Sequence, residues 1–316
     1  MRTQGWSRRE VLVAVPGLIA GAAALAHAQT GGSGQAVPWS AGTESPKLRL
    51  PPNATDCHHH VYDSRFPIAP EATLKPADAT AADYRLLQKR LGVTRHVAIQ
   101  PSTYGVDNSC LVNALGQFGL ETVRGVAVVN TSVTDRELQD LHAAGVRGIR
   151  FNLAPPGSTT FQMVAPLAKQ VAPLGWHIQV NASAEQIVEA AELWNGLPCP
   201  VVFDHLAHVP QPAGTRHPVF ALMIDLMEKG KGWVKLTGAY QDTKVGPPTY
   251  ADTIPVVQGY VKAAPEQLVW GTDWPHPSEK VKPDDALLLD LLGIWVPDEA
   301  TRTRILVDNP AKLYGF

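Results

Sequence analysis

The sequence predicts a (β/α)8 TIM barrel of the α/β class, formed by a single domain. Short apolar, β-rich runs alternate eight times with segments of helical periodicity, the pattern of parallel strands joined by helices. Hydrogen-bonding or titratable residues follow each run. Residues 51–316 carry this pattern and suit one barrel, because such barrels run to about 250 residues as a single unit. A doubly wound open sheet is the alternative, but no glycine-rich phosphate turn follows the first run.

The predicted strands and helices follow the alternation in chain order. The strands lie near Ala54–His58, Arg95–Gln100, Arg124–Val129, Val146–Phe151, His177–Val180, Pro200–Asp204, Trp233–Leu236 and Gln267–Trp270. The helices lie near 80–91, 107–119, 134–144, 160–172, 183–195, 217–230, 249–263, 282–293 and 298–307. Thr134 is followed by Glu137, and Ser183 by Gln186, so each pair predicts a capping box at a helix start.

The first 28 residues predict export and lie outside the barrel. Ser7-Arg8-Arg9-Glu10-Val11-Leu12 is a twin-arginine pattern, an apolar run follows it, and Ala26-His27-Ala28 is a small-x-small cleavage site. We expect twin-arginine (Tat) export machinery as the partner of the precursor, a periplasmic or secreted product, and no stable membrane association after cleavage. An uncleaved N-terminal anchor is the alternative. Residues 29–50 contain Gly31-Gly32-Ser33-Gly34 and several prolines and predict a flexible leader.

Composition excludes some partners. The chain has 27 basic and 29 acidic residues without a basic cluster, so nothing indicates binding to nucleic acid or to a membrane face. Its three cysteines, Cys57, Cys110 and Cys199, form no CxxC pair. We expect buried thiols, although export would permit one disulfide.

A His-x-His pair and an aspartate predict the centre of an active site. His58 and His60 alternate at the end of the first strand and therefore share one face, whereas His59 points the other way and is expected under a helix. Asp273 follows the last strand. In a barrel the carboxyl ends of all strands meet at one opening, where barrel enzymes perform their chemistry. His205, after the sixth strand, should join them.

Asp273 and Arg150 have the most informative surroundings. Trp270, Trp274 and Pro275 flank Asp273, and such aromatic surroundings predict a raised pKa suited to a general base. Arg150 lies within an apolar strand, where it would hold a substrate carboxylate or pair with an interior acid. The predicted partner is therefore a small anionic substrate. Further expected substrate contacts at strand ends are Ser102, Tyr104, Asn152, Asn181, Tyr240 and His276.

Several motifs together resemble the amidohydrolase superfamily, within it the branch of 2-pyrone-4,6-dicarboxylate hydrolase (a lactonase) and galactarolactone isomerase. They are Asp56-x-His58-x-His60, Gln100-Pro101-Ser102-x-Tyr104-Gly105, Gly148-Ile149-Arg150-Phe151-Asn152, Phe203-Asp204-His205 and Trp270-Gly271-Thr272-Asp273-Trp274-Pro275-His276. The resemblance covers residues 54–316. It implies a (β/α)8 barrel that acts on small cyclic esters carrying carboxylates.

The chain departs from the zinc-binding members that it resembles. Asn181 stands where those members usually place a histidine after the fifth strand, while His177 lies at the start of that strand. We therefore expect no cofactor. If one Zn²⁺ were bound, its ligands would be His58, His60, His205 and Asp273. An arginine expected near Gln241 for a second substrate carboxylate is also missing, and only the flexible Lys244 lies close by.

The leading hypothesis is a metal-independent lactone hydrolase. Asp273 would activate water, while His58, His60 and His205 would polarise the carbonyl and stabilise the oxyanion. The alternatives are a zinc-dependent amidohydrolase or nonoxidative aromatic-acid decarboxylase, a lactone isomerase, and a non-enzymatic solute-binding protein on the same barrel.

Overall fold

The computed structural model describes residues 34–154 and 157–316. Eight parallel strands form one sheet whose spatial order equals their chain order. The strands are β1 (Thr55–His59), β2 (Arg95–Ile99), β3 (Val123–Ala127), β4 (Val146–Asn152), β5 (His177–Asn181), β6 (Val201–Phe203), β7 (Gly232–Leu236) and β8 (Leu268–Trp270). Most strand residues are buried apolar side chains, as in a sheet covered on both faces. The predicted (β/α)8 TIM barrel is confirmed.

Helices connect the strands on the outside of the barrel. They are α1 (Ala81–Leu91), α2 (Ser109–Phe118), α3 (Asp135–Ala143), α4 (Phe161–Val171), α5 (Ala184–Glu189), α6 (Ala191–Gly196), α7 (Pro218–Glu228), α8 (Ala239–Asp242), α9 (Ile254–Ala263), α10 (Asp285–Trp295), α11 (Glu299–Thr303) and α12 (Asn309–Tyr314). Thr134 and Ser183 form capping boxes with Glu137 and Gln186 at the starts of α3 and α5, as predicted. No helix among the described residues is long and apolar enough to cross a membrane.

Some element boundaries differ from the predicted ones. The single helix expected over 183–195 is interrupted at Ala190, and the indole of Trp194 donates a hydrogen bond of 2.9 Å to the Ile187 carbonyl. The helix expected over 298–307 ends at Thr303 and continues as a π-helical turn over Arg304–Asp308. The short helix α8 was not predicted.

The barrel closes between β1 and the segment that follows β8. Asp273 N donates to His58 O at 2.7 Å, and His60 N donates to Trp274 O at 2.8 Å. A side chain at position 271 would place its Cβ 2.6 Å from His58 N, so only glycine lets the two segments approach. Closure therefore brings the two motifs singled out in the sequence into direct contact.

Residues 34–50 differ from the expected flexible leader, because they pack against the barrel. The Trp274 indole donates to Pro38 O at 2.8 Å, Leu48 N donates to Asp290 Oδ1 at 2.8 Å, and Arg90 donates to Ala41 O at 2.9 Å. The twin-arginine segment and its expected cleavage position lie outside the described residues. Cys57, Cys110 and Cys199 are free and buried, as predicted.

Candidate active site

The side chains of β1 alternate as the sequence predicted. His58 and His60 point into the barrel, whereas His59 faces outward. The ring of His59 stacks on Tyr84 with centroids 3.6 Å apart, and its Nε2 lies 2.8 Å from His96 Nδ1. His59 is thus part of a buried layer beneath α1 and α2. His177, at the start of β5, packs edge-on against Tyr314 at the opposite end of the barrel.

His58, His60 and Asp273 form a compact triad at the carboxyl ends of the strands. The two Nε2 atoms lie 3.3 Å apart, and each lies 3.5 Å from Asp273 Oδ1. His60 Nδ1 lies 2.9 Å from Ile99 O. Because a carbonyl only accepts, His60 Nδ1 carries a proton, and its other ring nitrogen, Nε2, faces the triad.

The second oxygen of Asp273 is held in place by two donors. Tyr240 OH lies 2.6 Å and Gln241 Nε2 lies 3.3 Å from Oδ2. Burial alone would raise the pKa of Asp273, but His205, His60 and His58 together hold it well below its usual range. The raised pKa predicted from the aromatic flanks is therefore wrong, because the carboxylate faces imidazoles and a phenol rather than the flanking indoles.

His205 completes the polar face above the triad. Its ring centroid lies 5.0 Å from that of His58, and its Nδ1 lies 3.0 Å from Thr237 Oγ1. Burial lowers the pKa of His205 to about 4, so its ring is neutral near pH 7. The backbone φ is 51° at His205 and 68° at Asp273, a left-handed conformation that non-glycine residues rarely adopt and that concentrates at functional sites.

Beneath the triad lies a buried layer of charge centred on Asp204. Its Oδ2 accepts from Arg150 Nε and from Gln179 Nε2, each at 3.1 Å. The ammonium of Lys235 lies 3.7 Å from Oδ1. Burial opposes ionisation of Asp204, but His58, Lys235 and Arg150 hold its pKa well below the usual range. Burial lowers the pKa of Lys235 to about 8, which leaves it charged near neutrality. Arg150 therefore pairs with an interior acid, one of its two expected roles.

A cavity of about 250 Å³ opens above these groups, and most of the predicted site residues line it. Of the predicted residues it is lined by His60, Ser102, Arg150, Asn152, Asn181, His205 and Asp273. Arg150 thus reaches the cavity while its Nε holds Asp204. A larger open cleft of about 700 Å³ lies between α2 and α3, but no histidine or aspartate of the triad lines it. The smaller cavity is therefore the candidate active site.

Three of the predicted substrate contacts do not line this cavity. Tyr104 is buried, and its hydroxyl accepts from Asp63 N at 2.8 Å. The segment around Asp63 therefore holds the Tyr104 hydroxyl away from the cavity. Tyr240 acts behind Asp273 rather than beside the substrate space. His276 is fully buried, with Nδ1 2.9 Å from Tyr240 OH.

Some residues at the site were missed by sequence reasoning. Lys235 and Gln179 lie inside the barrel on β7 and β5, Asp204 follows β6 directly, and Gln241 lines the cavity. Lys235 carried the signal that singled out Arg150, a cation flanked by apolar residues within a strand. Gln179 alternates with Ile178 and Val180 in the same way.

The described residues include candidate metal ligands, and their fit can be tested. The donor atoms of His58, His60 and Asp273 lie close enough together to hold one ion. However, Asn181 does not supply the missing donor on β5, because its amide is occupied by Asn152 at 2.9 Å and His208 at 2.7 Å. The ammonium of Lys235 also lies 3.3 Å from His58 Nδ1 and opposes a cation there. The described residues therefore offer two groups of candidate ligands, His58, His60 and Asp273 or His58, Asp204 and His205. They supply no histidine after β5, and a buried ammonium lies beside His58 Nδ1.

A parallel eight-stranded barrel with a His-x-His pair and an aspartate at its carboxyl end defines a TIM-barrel enzyme site. The chain belongs to the amidohydrolase family, which matches residues 55–316, and the resemblance predicted from the motifs is confirmed. It is similar to a 2-pyrone-4,6-dicarboxylate hydrolase from Comamonas testosteroni, 36% identical over 289 residues, 87% of this chain and 94% of the relative. It is also similar to a 4-sulfomuconolactone hydrolase from Rhizobium radiobacter, 34% identical over 84% of this chain and 91% of the relative.

A solved structure gives the same result at the level of the fold. An apo structure from Agrobacterium tumefaciens superposes with a TM-score of 0.80 at 30% identity, covering 86% of this chain and 99% of the other. The match spans nearly the whole of the solved chain, so the two proteins share the complete barrel.

Proposed function

We propose that the protein hydrolyses a small lactone that carries a carboxylate, without a metal ion. The observation that carries this proposal is Asp273 Oδ1, which lies between two histidines at a cavity that Arg150 also lines. A carboxylate that can take a proton from water thus lies in the same cavity as a cation that can hold an anionic substrate. Similarity to hydrolases of two anionic lactones supports the choice of substrate class.

The triad activates the water, and residues that line the cavity hold the substrate. Asp273 takes a proton from water, whose oxygen bonds to the lactone carbonyl carbon. The ring C–O bond then breaks, and the proton held by Asp273 passes to the departing ring oxygen. In this scheme His60, whose Nδ1 lies 2.9 Å from Ile99 O, accepts from the water through Nε2 and orients it. Arg150 fixes the substrate carboxylate so that the carbonyl meets the water.

Two features support the proposal that no metal takes part: Asn181 stands in place of a histidine after β5, and the ammonium of Lys235 lies 3.3 Å from His58 Nδ1. We expect dialysis against a chelator to leave the rate of lactone opening unchanged, and elemental analysis to find substoichiometric zinc. Stoichiometric zinc in the purified protein, with activity lost on its removal and restored on its return, would contradict this part of the proposal.

The substrate class is tested by a lactone panel. We expect acid release from 2-pyrone-4,6-dicarboxylate or another carboxylated lactone, and much slower release from neutral lactones of the same ring size. Analysis of the product separates ring opening from isomerisation. Asp273→Asn, prepared in parallel, controls for contaminating esterases. Absence of turnover across the panel, or equal rates on charged and neutral rings, would contradict the proposal.

The N-terminal pattern supports a further proposal, that the mature protein acts in the periplasm or outside the cell. The twin-arginine route carries folded precursors, and the pair Arg8-Arg9 is followed by an apolar run and a small-x-small site. The substrate would then be met outside the cytoplasm.

A further inference from the structure

Arg150 has two guanidinium nitrogens that no described residue takes up. Its side chain is only 5% exposed and lines the candidate active site. The Nε atom donates to Asp204 Oδ2 at 3.1 Å, whereas neither Nη atom donates to a described residue. The two Nη atoms form one edge of a planar fork that matches the two oxygens of a carboxylate. One end of the cavity is therefore suited to a single anionic group.

The rest of the cavity wall carries no second permanent cation. Among the described residues that line the cavity, Arg150 is the only arginine or lysine. Beyond it the wall continues through amides, because Asn181 Nδ2 donates to Asn152 Oδ1 at 2.9 Å. His208 Nε2 lies 2.7 Å from Asn181 Oδ1, and His208 Nδ1 lies 3.0 Å from Asp242 Oδ2. Whether the imidazole is neutral or protonated, its pair with the Asp242 carboxylate carries no net positive charge.

A neighbouring cavity of about 210 Å³ adjoins the site beyond His208 and is acidic. It shares Ala154 and His208 with the candidate active site. Its other titratable lining residues are Asp242 and Glu185, and none of the described residues in its wall is an arginine or a lysine. A substrate carboxylate that extended in this direction would lose water without gaining a cation, and it would be repelled by two carboxylates.

Gln241 gives this part of the cavity a hydrogen-bond acceptor. It follows β7, whereas Arg150 lies on β4, so the two residues lie on different sides of the opening. Gln241 Nε2 lies 3.3 Å from Asp273 Oδ2, and because a carboxylate only accepts, the amide nitrogen must face Asp273. The carbonyl oxygen Oε1 accepts from no described residue. A hydroxyl can donate to this oxygen, whereas a carboxylate cannot.

We propose that the preferred substrate is a lactone with one carboxylate, held by Arg150, and a hydroxyl on the other side, held by Gln241. This inference rests on the lactone hydrolysis proposed above and narrows its substrate class. Gln241 determines the specificity, because it binds a neutral donor at a place where a second carboxylate needs a cation. A lactone with carboxylates on both sides is therefore opened less efficiently.

Binding of two rings that cannot be opened tests the charge preference without turnover. The probes are 3-hydroxybenzoate and benzene-1,3-dicarboxylate, which differ only in whether the second group is a hydroxyl or a carboxylate. We expect calorimetry to show that 3-hydroxybenzoate binds about 10-fold more tightly, because the second carboxylate meets no cation. Equal or tighter binding of the dicarboxylate, or no binding of either ring, would overturn the proposal.

Kinetics on lactones relate this preference to the proposed function. We expect kcat/KM to be about 10-fold higher for a ring with one carboxylate and one hydroxyl than for the same ring with two carboxylates. A higher kcat/KM for the dicarboxylated ring would overturn the proposal. If the two aromatic rings bind as expected but no lactone is opened, the charge preference stands and the proposed function fails.

Gln241→Arg tests the residue itself, with Gln241→Met as the matched control. Both variants remove the amide beside Asp273, but only the arginine adds a cation to this wall. We expect Gln241→Arg to bind benzene-1,3-dicarboxylate about 10-fold more tightly than Gln241→Met does. Equal affinities in the two variants would overturn the role of Gln241. If Gln241→Arg does not fold, the comparison of the two rings in the unsubstituted protein decides.

Lys244→Met tests the other cation near Gln241 in the sequence. Lys244 is exposed and does not line the cavity. We expect its substitution to leave the ratio of the two ring affinities unchanged. A loss of affinity for benzene-1,3-dicarboxylate alone would show that Lys244 supplies a second cation, and it would overturn the proposal.

Discussion

The hydroxyl of Tyr240 donates a hydrogen bond of 2.6 Å to Asp273 Oδ2 and thereby fixes which carboxylate oxygen faces the cavity. Its single proton is used there, so it accepts from His276 Nδ1 at 2.9 Å. Oδ1 is left between His58 and His60, where a water or a substrate oxygen would lie. The phenol of Tyr240 thus orients Asp273, the proposed general base.

Tyr240→Phe should lower kcat by roughly 10-fold with little change in KM, because a hydrogen bond to a charged group is worth about 1.5–3 kcal/mol and part of that loss is relieved by rotation of the carboxylate. Steady-state kinetics on a confirmed substrate measure this. Tyr104→Phe is the matched control, since it removes a buried phenol hydroxyl that lies away from the cavity. Equal losses in the two variants would show that Tyr240 has no special role.

The rate should stay constant as the pH falls from about 7 to about 5. The pKa of Asp273 is held well below its usual range, so the base remains ionised throughout this window, and His205, with a pKa of about 4, remains neutral. A folded-state pKa below the usual value moves the loss of activity to lower pH, not to higher. The profile of kcat/KM, measured where the protein stays folded, checks this. An acid limb between pH 6 and pH 7 would show that Asp273 has the raised pKa expected from its aromatic flanks.

Arg150→Met should raise KM for a carboxylated lactone by roughly 10- to 100-fold, because one charge-assisted hydrogen bond to a carboxylate is worth about 1.5–3 kcal/mol. The comparison is made with a neutral lactone of the same ring size, whose KM should change little. If the variant weakens both substrates equally, the guanidinium serves only to hold Asp204.

Replacing both Arg8 and Arg9 by lysine should leave the precursor in the cytoplasm, because the arginine pair is the address that the export machinery reads. Fractionation followed by N-terminal sequencing would locate the protein and its cleavage position, expected after Ala28. An unchanged periplasmic yield of processed protein would contradict the proposed route.

The sequence predicted the features that depend on the alternation of residues along a strand. It did not predict those that depend on how the strands close into a barrel. Alternation along β1 separates His58 and His60 from His59 without any knowledge of tertiary structure. The contact between Asp273 and that pair follows from the order of strands in a barrel. Lys235 and Gln179 each carry a local signal, a polar residue between apolar ones within a strand. Their meeting with Asp204 inside the barrel depends on closure, which no local pattern specifies.

The pKa of Asp273 is a second property that the sequence did not predict, because it too depends on contacts across the barrel. Neighbours in sequence suggested an apolar environment, whereas the neighbours in space are imidazoles and a phenol. The contacts of Asp273 are made across the barrel, so its neighbours in sequence predict the wrong direction for the shift of its pKa. Tyr104 and His276 likewise lie near the strand ends in sequence but point into the surrounding packing.

The most direct measurement compares ring opening of 2-pyrone-4,6-dicarboxylate by the unsubstituted protein and by Asp273→Asn, with other carboxylated lactones as further substrates. The substitution keeps the size of the side chain but removes the base, and general-base catalysis typically contributes about 10²- to 10⁴-fold. We expect kcat to fall by about that much while the substrate still binds. A variant that keeps nearly the full kcat would contradict the role of Asp273, and the absence of ring opening by the unsubstituted protein on every lactone tested would contradict the function itself.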